Sequence, residues 1–307
     1  MDYLSEQIQK WVVSAVGKNA AIVSIERLKG STSSVLHKLT LKLTDEMKEV
    51  VVRQYDNKEW LKEEPDLALH EAGSLFWATD KGLSAPEVIA YEERGKVCGV
   101  PLVLMSKVTG TVELKPQDMS EWIDGLAKEL VKIHTVDISD FPWKYFSYND
   151  MGKVEVPGWS SVPGTWKKVI EMVKGAPPKA RECFIHRDYH PANVLWESGS
   201  VSGVVDWVNA CMGPAGIDVG HCRWNLAMLY DVETADEFLS AYQGYAGPDY
   251  VYDPYWDLIS LIDVLFGPPE VYPGWKAFGV TELTNKLMEE RMDKYAVSLV
   301  ENAERSE

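Results

Sequence analysis

The sequence predicts a two-lobed α+β protein, with an antiparallel sheet and one helix in the first lobe and a mainly helical second lobe. Three observations carry this expectation. Residues 1–106 read as short apolar or alternating runs broken by turn residues, with one helical stripe among them. Residues 107–307 return repeatedly to apolar spacings of three and four. At 307 residues, 46% hydrophobic and 25% charged, the chain has ordinary globular usage and enough length for a sizeable core. Long disorder, a collagen-like repeat and a disulfide-stapled miniprotein are excluded.

The opening stretch, MDYLSEQIQKWVVSAVGKN, carries acids in its first turns and no cleavable signal pattern, and is expected to form an amphipathic helix. Residues 21–28 are strand-like. Gly30-Ser31-Thr32-Ser33-Ser34 breaks that run, and residues 35–43 then alternate apolar and polar as a half-buried strand does. Asp45 and Glu46 turn the chain, and residues 50–55 give a third strand, so an antiparallel meander is expected. A helix follows over residues 66–79. Leu67, Glu71, Leu75 and Ala78 share one face of it, and an ionised Glu71 in that apolar stripe needs a partner. Residues 88–91 and 102–105 give two more strands, the first preceded by a turn at Ser84-Ala85-Pro86.

In the second half, residues 118–121 resemble a capping box, and Trp122, Leu126 and Leu130 follow at i+4 spacing in a helix ending near His134. Residues 137–180 are rich in Pro, Gly and Trp and yield no assignment. Residues 184–185, 194–196 and 201–205 are strand candidates. Helices are expected over residues 219–230, 235–242, 255–266 and 281–303, the last with Leu283, Leu287, Tyr295 and Leu299 as its buried stripe.

Thirty-one basic against 47 acidic residues give a net charge of −16. That balance opposes nonspecific binding to nucleic acid or anionic lipid. No run of 18 apolar residues exists, so no membrane helix is expected. Cys98, Cys183, Cys211 and Cys222 form no CxxC pair. Free thiols in a reducing cytoplasm are expected, and no zinc site. Twelve Trp suggest an aromatic-lined core or cleft. Asp231, Glu233, Asp236, Glu237, Asp249, Asp253, Asp257 and Asp263 are expected on solvated helix faces, with a cleft for a cationic acceptor as the other option.

The densest cluster of polar chemistry runs Phe184-Ile185-His186-Arg187-Asp188-Tyr189-His190-Pro191-Ala192-Asn193-Val194-Leu195, followed by Val204-Val205-Asp206-Trp207. Apolar strand pairs bracket a polar loop holding one Asp and one Asn, and a second Asp ends the next strand. Asn193 and Asp206 at adjacent strand ends can converge, and oxygen-only ligands suit Mg²⁺. Asp188, on the preceding loop, could receive or orient a hydroxyl proton. His186 and His190 at i, i+4 could suggest a metal pair, but Pro191 argues against the helix that such a pair needs, so both are read as structural.

This stretch resembles the catalytic segment H-R-D-x-x-x-x-N of the protein-kinase-like fold. The form H-x-D-x-H-P-x-N with a following V-x-D-W looks most like the aminoglycoside phosphotransferase and choline kinase branch. The segment from Gly213 to Asp218 resembles that branch's G-D-P-x-x-D-L stretch. The resemblance spans most of the chain and implies a nucleotide-binding lobe at 1–106 and a catalytic, acceptor-binding lobe at 107–307. It implies a cytoplasmic phosphotransferase moving the γ-phosphate of ATP or GTP, with Mg²⁺, to a hydroxyl of a small molecule. An aminoglycoside or other antibiotic is the expected acceptor. A non-antibiotic amino alcohol or sugar, or a catalytically silent nucleotide-binding protein, are the alternatives.

The resemblance also implies roles. Asp188 would be the catalytic base, Asn193 and Asp206 the Mg²⁺ ligands, and His186 and Asp218 supporting groups. Gly30, Ser31, Thr32 and Ser33 would cover the phosphates. Arg53 would contact phosphate with Glu71 as its ion-pair partner, and Met105 and Ser106 would lie at the hinge that receives the base. Two features depart from the pattern. Arg53 stands where Lys is expected, which changes a point charge for a planar fork. The phosphate loop has one glycine, not G-x-G-x-x-G. A protein kinase is disfavoured: Asp206-Trp207-Val208 replaces D-F-G, and no A-P-E segment follows.

Overall fold

A computed structural model describes residues 4–31 and 33–306. Helix α1 (Glu6–Val16) starts where Ser5 Oγ accepts the Ile8 N–H. Strands β1 (Ala21–Arg27), β2 (Val35–Lys42) and β3 (Met47–Gln54) form the expected meander. Helices α2 (Lys58–Glu63) and α3 (Leu67–Asp80) follow, then β4 (Val88–Glu92) and β5 (Leu102–Ser106). The five strands make one antiparallel sheet in the order β1-β2-β3-β5-β4. Alternation on β3 divides the core. Val50 and Val52 join Ile8 and Val12 of α1 in one apolar cluster. Val51 and Tyr55 join Leu67, Ala72 and Leu75 of α3 in the other. Arg53 has the parity of Val51 and Tyr55, so it is delivered to the face on which α3 packs.

The chain continues through β6 (Thr111–Val112), α4 (Met119–His134), α5 (Pro163–Val173), β7 (Glu182–Ile185), β8 (Val194–Glu197), β9 (Ser200–Val204) and β10 (Cys211–Pro214). It ends in α6 (Ala215–Leu229), α7 (Val232–Ala246), α8 (Tyr255–Asp263), α9 (Pro273–Ala277) and α10 (Asn285–Ser306). Asp118 caps α4 by accepting the Glu121 N–H, as the capping pattern requires. β6, β8 and β9 form a three-stranded sheet, and β7 pairs antiparallel with β10. These two small sheets hold the loop of polar residues at the start of the helical region. α6 lies tight against α8: a Cβ at Gly220 would meet the Trp256 carbonyl oxygen at 2.5 Å.

Several expectations need correction. α2 is a short helix where none was expected, marked by the Asn57 cap. The unassigned stretch holds α5, whose Trp166, Val169, Ile170 and Val173 are buried. α6 begins at Ala215, not 219, because Pro and Gly at its start serve its first turn and its packing instead of a loop. Two small pieces, β6 and β10, were too short to show a period.

The late acids are not one solvated face. Asp257 is buried and accepts from Arg223 and the Tyr295 hydroxyl. Asp231 caps α7, and Asp263 accepts from Tyr145 and Ser147. Glu233, Glu237 and Asp249 are exposed. The four cysteines are buried and unpaired. No helix among the described residues is long and apolar enough to cross a membrane.

Candidate active site

The polar loop after β7 is held from beneath by one carboxylate. Asp218, fully buried in the first turn of α6, accepts the His186 N–H at 2.7 Å and the Arg187 N–H at 2.6 Å. His134 Nε2 donates to it at 3.0 Å. Arg187 has φ +66°, a left-handed conformation that non-glycine residues adopt only when their surroundings impose it. Its side chain leaves the loop sideways: Nη2 donates to Phe146 O, and the guanidinium lies 4.3 Å from the Phe146 and Tyr148 rings. His186 turns inward and donates from Nε2 to Val205 O at 3.0 Å.

Asp188 is half-buried at the open side of this loop. Asn193 Nδ2 donates to its main-chain oxygen at 2.9 Å and to Oδ2 at 3.3 Å. His221 Nε2, from α6, lies 3.2 Å from Oδ1, while His190 Nε2 stands at 3.8 Å. Burial works to raise the Asp188 carboxyl, but the His221 hydrogen bond and the nearby imidazoles outweigh it and hold the group below the usual carboxylate range. Burial pushes His190 down to about 4, and its Nδ1 accepts the Ala192 N–H.

Antiparallel pairing of Val194 with Val204 brings the strand ends together, and Val205 N donates to Asn193 O at 2.9 Å. Asn193 and Asp206 are thereby neighbours across the ladder. Asp206 adopts φ +68°, the second imposed left-handed residue at this site.

Arg53 reaches this point from β3. Its Nη1 lies 2.7 Å from Glu71 Oε1 and 2.6 Å from Asp206 Oδ1, and its Nε donates to Ser34 Oγ at 2.8 Å. Glu71 is buried in α3 and does not face the cleft; its Oε2 accepts the Tyr55 hydroxyl at 2.6 Å. Burial disfavours the Arg53 cation, but Asp206 and Glu71 more than offset it and keep it protonated. Burial pushes the Glu71 carboxyl up, against the pull of Arg53. Arg53 Nη2 is buried without a partner among the described residues.

Gly30 has φ +95°, and a Cβ there would sit 2.7 Å from the Phe278 ring. The Tyr272 hydroxyl lies 3.5 Å from Gly30 O, and its ring packs edge-on against His190. Ser31 Oγ donates to Ser34 O at 2.7 Å, Ser33 is half-buried, and Thr32 lies outside the described residues. Met105 is buried in β5. Ser106 Oγ accepts the Glu87 N–H at 2.9 Å, so that hydroxyl braces the sheet.

Asp188 with Asn193, and Asp206 with Arg53, thus form two contact pairs, brought to adjacent strand ends by the Val205–Asn193 backbone hydrogen bond, with Glu71 behind Arg53 and Asp218 beneath the loop. Sequence reasoning did not find His221, Tyr55 or His134. His221 follows Asp218 by three on one helix face, and Tyr55 follows Arg53 by two on one strand face, so both carried a positional signal.

The residues fit a Mg²⁺–nucleotide. Asn193 and Asp206 offer hard oxygens without thiol or imidazole, and Asn193, donating through Nδ2, turns its Oδ1 away from Asp188. The unpartnered Arg53 Nη2 suits an anionic oxygen.

The sequence profile described as the phosphotransferase enzyme family matches residues 33–255. No curated protein sequence matches the chain significantly. Among solved structures, the chain is similar to a candidate aminoglycoside phosphotransferase from Ralstonia eutropha JMP134, at 17% identity and TM-score 0.66 over 98% of both chains. It is similar to an amicoumacin kinase in complex with AMP-PNP, Ca²⁺ and its antibiotic, at 13% identity and TM-score 0.61, over 96% of this chain and 94% of the other. A third likeness is to a thermostable aminoglycoside phosphotransferase mutant in ternary complex with ADP and hygromycin B. There the identity is 14% and the TM-score 0.59, over 95% of this chain and 98% of the other. The kinase-like fold expected from the sequence is the fold these structures share with it.

Proposed function

Because the chain belongs to the phosphotransferase enzyme family, we propose that it moves the γ-phosphoryl group of ATP or GTP to a hydroxyl of a small molecule. The observation that carries this reading is the meeting of two contact pairs, Asp188–Asn193 and Asp206–Arg53, at adjacent strand ends. The acceptor in this reading is an aminoglycoside or another hydroxylated antibiotic, with a non-antibiotic amino alcohol or sugar as the alternative. The antibiotic complexes of the similar structures support that choice. Residues 1–106 serve as the nucleotide lobe and residues 107–307 as the catalytic and acceptor lobe. The four unpaired thiols suit a reducing cytoplasm.

Asn193 Oδ1 and the Asp206 carboxylate would hold Mg²⁺, which would supply positive charge to offset the negative charge of the transferring phosphoryl group. Arg53 offers Nη2 to a phosphate oxygen, while Glu71, Tyr55 and Ser34 fix its plane. Asp188 accepts the acceptor hydroxyl and aligns its oxygen for in-line attack. The new O–P bond forms as the bond to the nucleoside diphosphate breaks, and the hydroxyl proton passes to Asp188. A carboxylate held below its usual range is a weak base, so Asp188 takes the proton late and contributes mainly orientation.

One observation favours a second reading, nucleotide binding without turnover: Arg53 already pairs with one oxygen of Asp206, the carboxylate assigned to the metal. Diphosphate release from Mg-ATP and Mg-GTP, screened over hydroxylated antibiotics, amino alcohols and sugars with Asp188→Asn as the blank, separates the two. Acceptor-stimulated release that vanishes in the blank supports transfer. Nucleotide binding with no stimulated release supports the silent reading, and no nucleotide binding at all sinks both.

A further inference from the structure

We infer that His221 is a positioning residue that fixes the Asp188 carboxylate for phosphoryl transfer, an inference that rests on the reading just given. Two imidazoles approach Asp188 Oδ1. Only that of His221 is within hydrogen-bond reach, at 3.2 Å; His190 stands at 3.8 Å. The His190 Nδ1 accepts the Ala192 N–H at the start of the 191–193 turn, which leaves the proton on Nε2, but at 3.8 Å that nitrogen is too far from Oδ1 to hold it.

The remaining support of Asp188 comes from Asn193 Nδ2, which reaches Oδ2 at 3.3 Å. Each carboxylate oxygen thus has its own neighbour, Oδ1 the His221 imidazole and Oδ2 the Asn193 amide. Of the two, Asn193 is the residue assigned to the metal, so it cannot be relied on to set the carboxylate alone.

The placement of His221 is rigid. It sits on α6 one turn after Asp218, which grips the backbone of His186 and Arg187. α6 is itself seated against Trp256 at Gly220, and the His221 ring packs near Trp224 and His190. One helix thus holds the loop by its amides through Asp218 and by its reactive carboxylate through His221. The His221 imidazole beside Oδ1 limits the orientations open to the Asp188 carboxylate and leaves its exposed side for an acceptor hydroxyl.

The test is steady-state transfer from Mg-ATP to the best acceptor of the screen, or to water if no acceptor stimulates release. His221→Phe keeps a ring and removes the donor; His221→Gln restores an N–H. The Phe variant should lower kcat about 30- to 100-fold while leaving the KM for Mg-ATP within about twofold. The Gln variant should recover most of that loss. In an Asp188→Asn background the Phe substitution should have almost no further effect, because the group it positions is already gone.

A Phe variant with near wild-type kcat would overturn the inference. So would an equal loss in both backgrounds, which would place the effect of His221 elsewhere. Wild-type turnover that survives Asp188→Asn would fail the reading of Asp188 itself and take the inference with it. That outcome is distinguished from a failure of His221 alone by which single variant stays active.

Discussion

Arg53 and Asp206, 153 residues apart in the chain, meet as an ion pair of 2.6 Å across the cleft. The same guanidinium also holds Glu71 and Ser34, so one cation ties β3, α3, the loop between β1 and β2 and the segment after β9 together. A planar fork presents its donors in fixed directions, whereas an ammonium carries three rotatable donors at one point on a flexible stem.

Arg53→Lys should therefore weaken the protein even though the charge is kept. The buried Glu71 carboxylate loses a directed donor, at a cost of about 1–3 kcal/mol. A lowered urea midpoint with weaker Mg-ATP binding is the expected result. An unchanged midpoint would show that the fork geometry does not matter here.

The two aspartates of the cleft should separate by what they disturb. Asp188→Asn should keep nucleotide affinity and lose transfer by roughly 10²- to 10⁴-fold. Asp206→Asn should weaken binding of the Mg²⁺–nucleotide itself. Calorimetric titration with Mg-AMP-PNP reads the difference, and equal affinities in the two variants would remove the metal role from Asp206.

Asp218 accepts from two backbone amides and one imidazole in full burial. Asp218→Asn turns one acceptor into a donor that faces another donor. Stability should fall by about 1–3 kcal/mol, and transfer should fall with it because the loop loses its anchor. Denaturant unfolding and the transfer assay on the same preparation check both effects.

His70 supplies a pH dependence of known sign. Its ring stacks on Trp143 at 4.3 Å and donates from Nε2 to Ala210 O at 2.7 Å. Burial lowers its tendency to take a proton below the ordinary value of 6.5. Above that pH neither folded nor unfolded chain charges this group, and the stability is fully present. As pH falls below 6.5 the unfolded chain binds the proton first, so stability is lost. Urea midpoints at about pH 7.5 and about pH 5.5, on either side of that value, should differ more for the wild type than for His70→Gln.

How far these features could be read from the residues differs by element. The meander and α3 announced themselves through the spacing of their apolar residues, and α4 also through its Asp118 cap. Glu71 in an apolar stripe foretold a buried partner, and Arg53 is that partner. α5 was hidden because a Pro, Gly and Trp-rich stretch masks a short buried face, and α6 was read late because its Gly and Pro serve packing. His221 shares a helix face with Asp218, yet that spacing alone does not name its partner. Its meeting with Asp188 depends on how α6 docks under the loop, and a single chain's spacing does not encode that docking.

Gly30 and Phe278 touch from far-separated parts of the chain, with no room for even a methyl group between them. Neither position can drift freely. A side chain at residue 30 would meet the Phe278 ring and would also be forced into a backbone conformation that glycine alone takes without strain. Exchange of residue 278 by itself therefore cannot license a larger residue 30: in any recombined chain the glycine is fixed by its own backbone as well as by its distant neighbour.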